Sequence, residues 1–493
     1  MTGGSESEAQ AQAPSTAIPT KSLVALGAMA LAIFMIANDI TSLGVALPQV
    51  EEDLGVSVST VQWVLNAYTL VFGVLIVTGG RLSDTLGRRR MFFAGASLFG
   101  VFSLLGAVAP DVETLIAARA LMAIGAALMW PAVVGLTFSL VPAARAGIAG
   151  GMLLGVSGIG NALGPIIGGL FTDELSWRWI LVLNIPVVLI AVTVVWFFID
   201  RDAVSDVRER LDWPGIAALS VGLVALLIAL DQGSDWGWGD PRVIGLLVLG
   251  AVGLLALVGL QRRAGDRALI PRDVMGNVPF AAACITTLLA SGTWFAVLLF
   301  APQFMEKGLG FSALEAGLGF LPLMIVFSAT SFAAGPLYNR IGGRVPLLVG
   351  TACIPLGALL LSLPSPGDGY SALIPAFIVL GLGVGLFYST LTTAALTSID
   401  PSRTSVGSGL TFMFQLVGGA IGVGLATSMF DANSGQQDVA AGVDGALHIV
   451  ALMAVLALPA AWFVVRGDKA GAGAGPAASD PSDSPATEGA TPR

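Results

Sequence analysis

Fourteen runs of apolar residues, each long enough to cross about 30 Å of hydrocarbon, recur from one end of this 493-residue chain to the other. They fall near 22–47, 61–80, 91–109, 112–136, 147–171, 178–199, 212–230, 242–260, 278–301, 314–335, 346–363, 371–397, 406–430 and 446–466. In lipid, every backbone N–H and C=O must be paired within its own segment or in a closed barrel, so runs this long are helices. Apolar residues make up 55% of the chain and charged residues 11%, about half the charged share of a soluble domain. The expectation is an all-α, multi-pass membrane protein.

The first run is too long for a cleaved signal peptide, and its polar lead carries only Lys21. Residues 1–20 and 467–493 are rich in Ala, Gly, Ser and Pro and read as disordered tails. Cys284 and Cys353 lie in separate apolar segments and carry no redox or metal signal. The bias of 20 Arg to 3 Lys, with abundant Ala and Gly, hints at a GC-rich bacterial genome.

Cations sort by loop. With the amino terminus inside, the inner segments hold Lys21, Arg81, Arg88, Arg89, Arg90, Arg145, Arg201, Arg208, Arg210, Arg262, Arg263, Arg267, Arg272, Arg340, Arg344, Arg403, Arg466, Lys469 and Arg493. That is 19 of 23; Arg178, Arg242 and Lys307 fall outside, and Arg119 lies within the membrane. The split follows the positive-inside rule and places both termini in the cytoplasm of a bacterial cell membrane.

The elbow GRLSDTLGRRR at 80–90 returns as GPLYNRIGGR at 335–344, pairing Gly80 with Gly335, Asp84 with Asn339 and Gly87 with Gly342 at an offset of 255. Pro48-Gln49 pairs with Pro302-Gln303, Leu54-Gly55 with Leu309-Gly310, Gly125 with Gly383, Arg145 with Arg403, Gly160 with Gly418 and Gly164 with Gly422. Offsets drift only from 254 to 258, so segments 1–6 correspond to 9–14 and segments 7–8 join them. Both halves start on the same side, a parallel repeat about an axis along the membrane normal. The division runs as a six-helix bundle over 21–200, a linker with two extra helices over 201–272, and a second bundle over 273–466.

Two charges sit deep in the membrane. Asp39 lies nine residues before Pro48, and Arg119 eight after Asp111, which sets both roughly 12–14 Å below the outer edge. Burying either ion costs several kcal/mol, so each needs a wet cavity or a partner. One reading is a structural ion pair. The other makes Asp39 a proton carrier, with proton and substrate competing for one carboxylate.

The elbow resembles the signature between helices 2 and 3 of the major facilitator superfamily. LIAARALMAIGAA (115–127) is similar to that superfamily's helix 4 signature and GNALGPIIGG (160–169) to the helix 5 motif of its antiporters. NDITSLGVALPQ (38–49) resembles the helix 1 motif of fourteen-helix drug:proton antiporters. Met122-Ala123 stands where helix 4 usually has Gln-Gly, and Gly44 where helix 1 often has Asn. The resemblance implies active coupling roles for Asp39 and Arg119. It implies a conformational switch at Gly80, Asp84, Gly87 and Arg88, where the Asp and Arg latch one state. It also implies an antiporter motif at Gly160, Gly164, Pro165, Gly168 and Gly169. Close helix packing is the plainer reading of those glycines, and topological anchoring that of Arg89 and Arg90. Pro165 leaves the carbonyl of Asn161 without its usual donor.

By resemblance, helices 1, 4, 9 and 12 line the cavity, with help from 2, 5, 10 and 13. Trp294 occupies the position matching Asp39, and Trp130, Phe387, Tyr388, Phe412 and Gln415 fall in cavity-prone segments. Aromatic faces attract cations, although core or lipid packing is the commoner fate of any one such residue. Trp236 and Trp238 read as interfacial anchors and His448 as incidental.

One His, two isolated Cys and no phosphate-binding loop leave no metal cluster, cofactor site or nucleophile–base set, so no enzyme is expected. The expectation is a proton-coupled exporter of small lipophilic compounds, cations and antibiotics among them. Its partners would be substrate, protons and the lipid bilayer, with no nucleic acid, and it would work as a monomer. A dedicated exporter of one metabolite or lipid is the alternative; the antiporter-type segment 5 argues against import.

Overall fold

The computed structural model describes residues 18–201, 212–433 and 439–465. Most of both expected tails, and Arg208, Arg210, Arg466, Lys469 and Arg493 from the orientation count, lie outside the described residues. Among the described residues, fourteen helical spans are long and apolar enough to cross a membrane. They are α1 (Thr20–Leu54), α2 (Trp63–Leu86), α3 (Arg88–Ala107), α4 (Val112–Leu140), α5 (Ala143–Glu174), α6 (Arg178–Phe198), α7 (Trp213–Gly233), α8 (Pro241–Ala264), α9 (Val278–Gly308), α10 (Glu315–Ile341), α11 (Arg344–Ser362), α12 (Tyr370–Thr397), α13 (Pro401–Ala432) and α14 (Ala440–Val464).

Each expected run is found, with ends that move by a few residues. The largest extension is at α1, which passes through Pro48 and stops at Gly55 (φ 64). A proline removes only one N–H and clashes with one carbonyl, so the rest of the helix carries on. Termination comes from the glycine, which takes the left-handed conformation open to residues without a Cβ. The repeat partner Gly310 has φ 75, and the elbow pair Gly87 and Gly342 have φ 107 and 78. The duplicated Leu-Gly and elbow glycines are thus duplicated helix stops.

The two bundles pack alike. In the first, α1 rests on α5 and α6 while α4 rests on α2 and α3; in the second, α9 rests on α13 and α14 while α12 rests on α10 and α11. The correspondence reaches single glycines. A Cβ at Gly95 of α3 would lie 2.6 Å from the carbonyl oxygen of Gly125 in α4, and one at Gly350 of α11 would lie 3.0 Å from that of Gly383 in α12. Lipid tails are as apolar as the helix surfaces, so such close approach through small residues is what holds these helices together.

The bundles meet along two seams, α5 with α10 and α2 with α13, which the repeat exchanges. The extra pair α7–α8 packs as a hairpin, with α7 against both α2 and α13. Trp238, in the turn between them, does not serve as a lipid-interface anchor alone. Its indole N–H donates to Ser428 Oγ of α13 at 2.9 Å. Trp236 instead lies beneath the Arg242 guanidinium, 5.0 Å from ring centre to Cζ.

Candidate functional site

Asp39 and Arg119 meet. Arg119 Nη1 donates to Asp39 Oδ2 at 2.5 Å, and the two side chains are 1% and 0% exposed. Arg119 Nε donates to the Val64 carbonyl at 3.3 Å, and its guanidinium lies 4.3 Å from the Tyr68 ring centre. The other carboxylate oxygen accepts from Asn184 Nδ2 at 2.8 Å, which also donates to Ser103 Oγ at 3.1 Å. Ser103 in turn donates to the Leu181 carbonyl at 2.8 Å. Five spans, α1, α2, α3, α4 and α6, therefore supply one polar cluster within the first bundle. Asn184, Tyr68, Ser103 and the Val64 carbonyl were not foreseen from sequence. An Asn inside an otherwise apolar sixth run was the available signal. Met122, standing where the related helix 4 pattern has Gln, places its Sδ 3.6 Å from Arg119 Nη1.

Glycines of α5 put α1 in place around the acid. A Cβ at Gly160 would lie 2.8 Å from the Phe34 carbonyl oxygen and 3.0 Å from Ala37 Cβ. One at Gly164 would strike Thr41, and one at Gly168 the Ser42 backbone. Gly169 is buried, and the helix runs unbroken through Pro165. The mirrored face of α13 sets Gly418 on Leu288 and Gly422 on Gly292 of α9. There the chemistry differs. Trp294 holds the Asp39 position and packs on Phe327 with ring centres 5.7 Å apart. Phe377, 258 residues beyond Arg119, is fully buried. The ion pair is built into one bundle only.

At the elbow, Asp84 reaches across to the other bundle. Its Oδ2 accepts from the Val406 backbone N–H at 2.8 Å and its Oδ1 from that of Ser405 at 3.2 Å. Those are the first turn of the helix that begins at Thr404 in α13, where free N–H groups and the helix dipole favour an anion. Arg88 pairs with Asp84 at 3.1 Å and donates to the Gly135 carbonyl at 3.1 Å and the Pro401 carbonyl at 2.6 Å. Gly80 permits the approach, since a Cβ there would lie 2.6 Å from the Ser405 carbonyl oxygen. The repeat makes the same contact in reverse: Asn339 Oδ1 accepts from the Gly147 N–H at the start of the α-helical part of α5, at 3.1 Å. Two pseudo-symmetric caps join the bundles at this end.

A cavity of about 220 Å³ lies toward the opposite end, between α2, α7, α9 and α13, with Trp63, Phe295 and Leu416 in its wall. A second space of about 40 Å³ is lined by Trp130, Tyr388, Phe412 and Gln415. Phe72 of α2, Trp130 of α4 and Phe412 of α13 form an aromatic cluster across the bundles, with centroid distances of 4.9 to 6.3 Å. Tyr388 shares a hydrogen bond with Ser291 Oγ at 3.0 Å. Trp294 and Phe387 line neither space; Phe387 is fully buried against Tyr388 and α11. The candidate wall residues thus divide into four that border a cavity and two in packed core.

The profile of the Major Facilitator Superfamily matches residues 29–423. The chain is 36% identical over 451 residues to a puromycin resistance protein of Streptomyces alboniger, covering 87% of this chain and 89% of that one. It is 34% identical over 423 residues to a cephamycin export protein of Amycolatopsis lactamdurans, covering 83% and 86%. The crystal structure of the human organic anion transporter MFSD10 superposes with a TM-score of 0.63 at 14% identity, over 90% of this chain and 100% of that one, a likeness of fold. With fourteen membrane-length helices among the described residues, paired six-helix bundles and a profile that covers most of its length, this chain is a multi-pass membrane transporter belonging to the major facilitator superfamily.

Proposed function

We propose that the chain is a proton-coupled exporter of small lipophilic compounds, antibiotics and organic cations among them, working by alternating access as a monomer. The observation that carries this reading is the buried Asp39–Arg119 pair, present in one bundle and replaced by Trp294 and Phe377 in the other. A packing role alone would be served by apolar residues, as Trp294 and Phe377 occupy the matching positions of the second bundle, and a buried ion pair is weak as a stabiliser. Protonation of Asp39 cancels its attraction for Arg119 and loosens α1 from α4. That converts proton arrival into a change of bundle packing. A membrane potential of about 100 mV supplies roughly 2.3 kcal/mol per proton, and each pH unit about 1.4 more.

The arginine-rich elbow end is assigned to the cytoplasm, as the loop count favours. The capped seams then close the inner face, and the cavity opens outward. Two relatives of similar identity are named for two different antibiotics, so identity at this level does not fix the cargo. Their names also favour a second reading, an exporter dedicated to one compound.

Asp39→Asn tests the coupling. Substrate-induced proton release from vesicles is expected to vanish while the protein still inserts; full pH-gradient-driven efflux by the variant would make the carboxylate structural. Expression in a drug-sensitive bacterium separates the two cargo readings. Tolerance to at least two unrelated compounds supports the broad exporter, and protection against one alone supports the dedicated one.

A further inference from the structure

The repeat exchanges the two seams, yet they differ. The α5–α10 seam is closed along its length: Gly147 against Gly335, Gly151 against the Ser331 carbonyl, Gly155 against Phe332 and Gly158 against Phe327. At its far end a Cβ on Gly317 would touch Pro165 at 3.5 Å. The α2–α13 seam closes from Gly80 at Ser405, through Gly409 at Ile76, to Gly73 at Leu416. Beyond Leu416 it parts into the 220 Å³ cavity, and α7 forms the outer wall of that opening. The α7–α8 hairpin is held there by Trp238, which bonds Ser428 and folds back on Gly233.

Among the described residues lining this cavity, Asp231 of α7 is the only charged one. Gln232 Nε2 donates to its Oδ2 at 2.8 Å, and among the described residues no Lys or Arg is paired with it. Asn66 and Thr69 of α2 and the rings of Trp63 and Phe295 complete a wall that offers acceptors and aromatic faces without a positive charge. A neutral lipophile gains from such a space only by burying area. An organic cation gains in addition from the carboxylate and the ring faces.

We propose that α7, which lies outside the repeat, supplies Asp231 as a cation-recognising residue of the outer cavity, selecting lipophilic organic cations over neutral lipophiles of similar size. The proposal rests on the export reading, so its test includes a binding measurement that requires no transport. Full-length protein in detergent is titrated with tetraphenylphosphonium and with the neutral dye Nile red, and efflux of both is followed in vesicles. Asp231→Asn is expected to weaken tetraphenylphosphonium binding about tenfold, a 1.4 kcal/mol change, and to leave Nile red binding unchanged. Asp231→Glu is expected to restore cation binding. Equal weakening of both probes makes Asp231 a packing residue, and no change in either removes it from the site; both outcomes overturn the proposal. Wild-type protein that binds neither probe overturns it as well. Binding of the cation through Asp231 without efflux of either probe would sink the export reading and leave the subsite standing.

Discussion

A carboxylate buried in a membrane bundle is held by everything that touches it, and Asp39 is touched on both oxygens. Arg119 takes one and Asn184 the other. The charges were legible in the sequence because an ion deep in an apolar run needs a partner. The neutral ligands were not, because an uncharged Asn or Tyr can satisfy its polar group on many neighbours and so does not name a partner. Arg119 does three things at once: it pairs with Asp39, donates Nε to Val64 and lies on the Tyr68 ring. A lysine keeps the charge but has no fork and no planar face. Arg119→Lys is therefore expected to lower coupled efflux about tenfold or more while the protein remains folded, measured as initial rates in vesicles with quantified protein. Undiminished rates would mean that charge alone suffices at this position.

At the scale of the helix, the fourteen runs were readable from length and apolarity, and the duplicated elbow from its glycines. What each glycine touches was not readable, since four-residue spacing only says that a small face exists. Apart from Gly150, which faces α12, the structure divides the interhelical glycines of α5 into two faces. Gly147, Gly151, Gly155 and Gly158 meet α10, whereas Gly160, Gly164 and Gly168 meet the part of α1 around Asp39. A methyl group at Gly168 would collide with the Ser42 backbone, which cannot move aside as a side chain can. Gly168→Ala is expected to cost about 1–3 kcal/mol by overpacking and to lower the thermal transition in detergent. Gly27 on α1 is the control, with nothing within 4 Å of its would-be Cβ. Gly27→Ala is expected to be neutral or to add up to about 1 kcal/mol of helix propensity. A similar response at both sites would show that the α5–α1 contact has slack.

Over the whole molecule, two caps of unequal strength close the elbow end. Asp84 brings a charge and two backbone bonds to the start of α13, and Asn339 brings one neutral bond to the start of α5. The sequence displayed the Asp-to-Asn pairing but not the partners, because a cap 321 residues away along the chain leaves no local pattern. Nor did length and apolarity reveal that α7 covers one seam, since lipid-facing and helix-facing surfaces read alike. Charge-assisted hydrogen bonds are worth about 1.5–3 kcal/mol, so Asp84→Asn is expected to shift the ratio of the two states by about 10- to 150-fold toward opening at the elbow. Two cysteine probes report this: Asn66→Cys in the cavity wall, and Thr393→Cys of α12, a buried residue whose hydroxyl faces Gly150 of α5 across the bundles. Cys353 is first replaced by serine; Cys284 is fully buried. With Asp84 intact, a membrane-impermeant thiol reagent is expected to label position 66 from the cavity side and to leave 393 protected. With Asp84→Asn the pattern should reverse, and 393 should become reactive from the elbow side. Unchanged labelling at both positions, together with normal transport, would reduce the elbow to a topological anchor and require another contact to set the resting state.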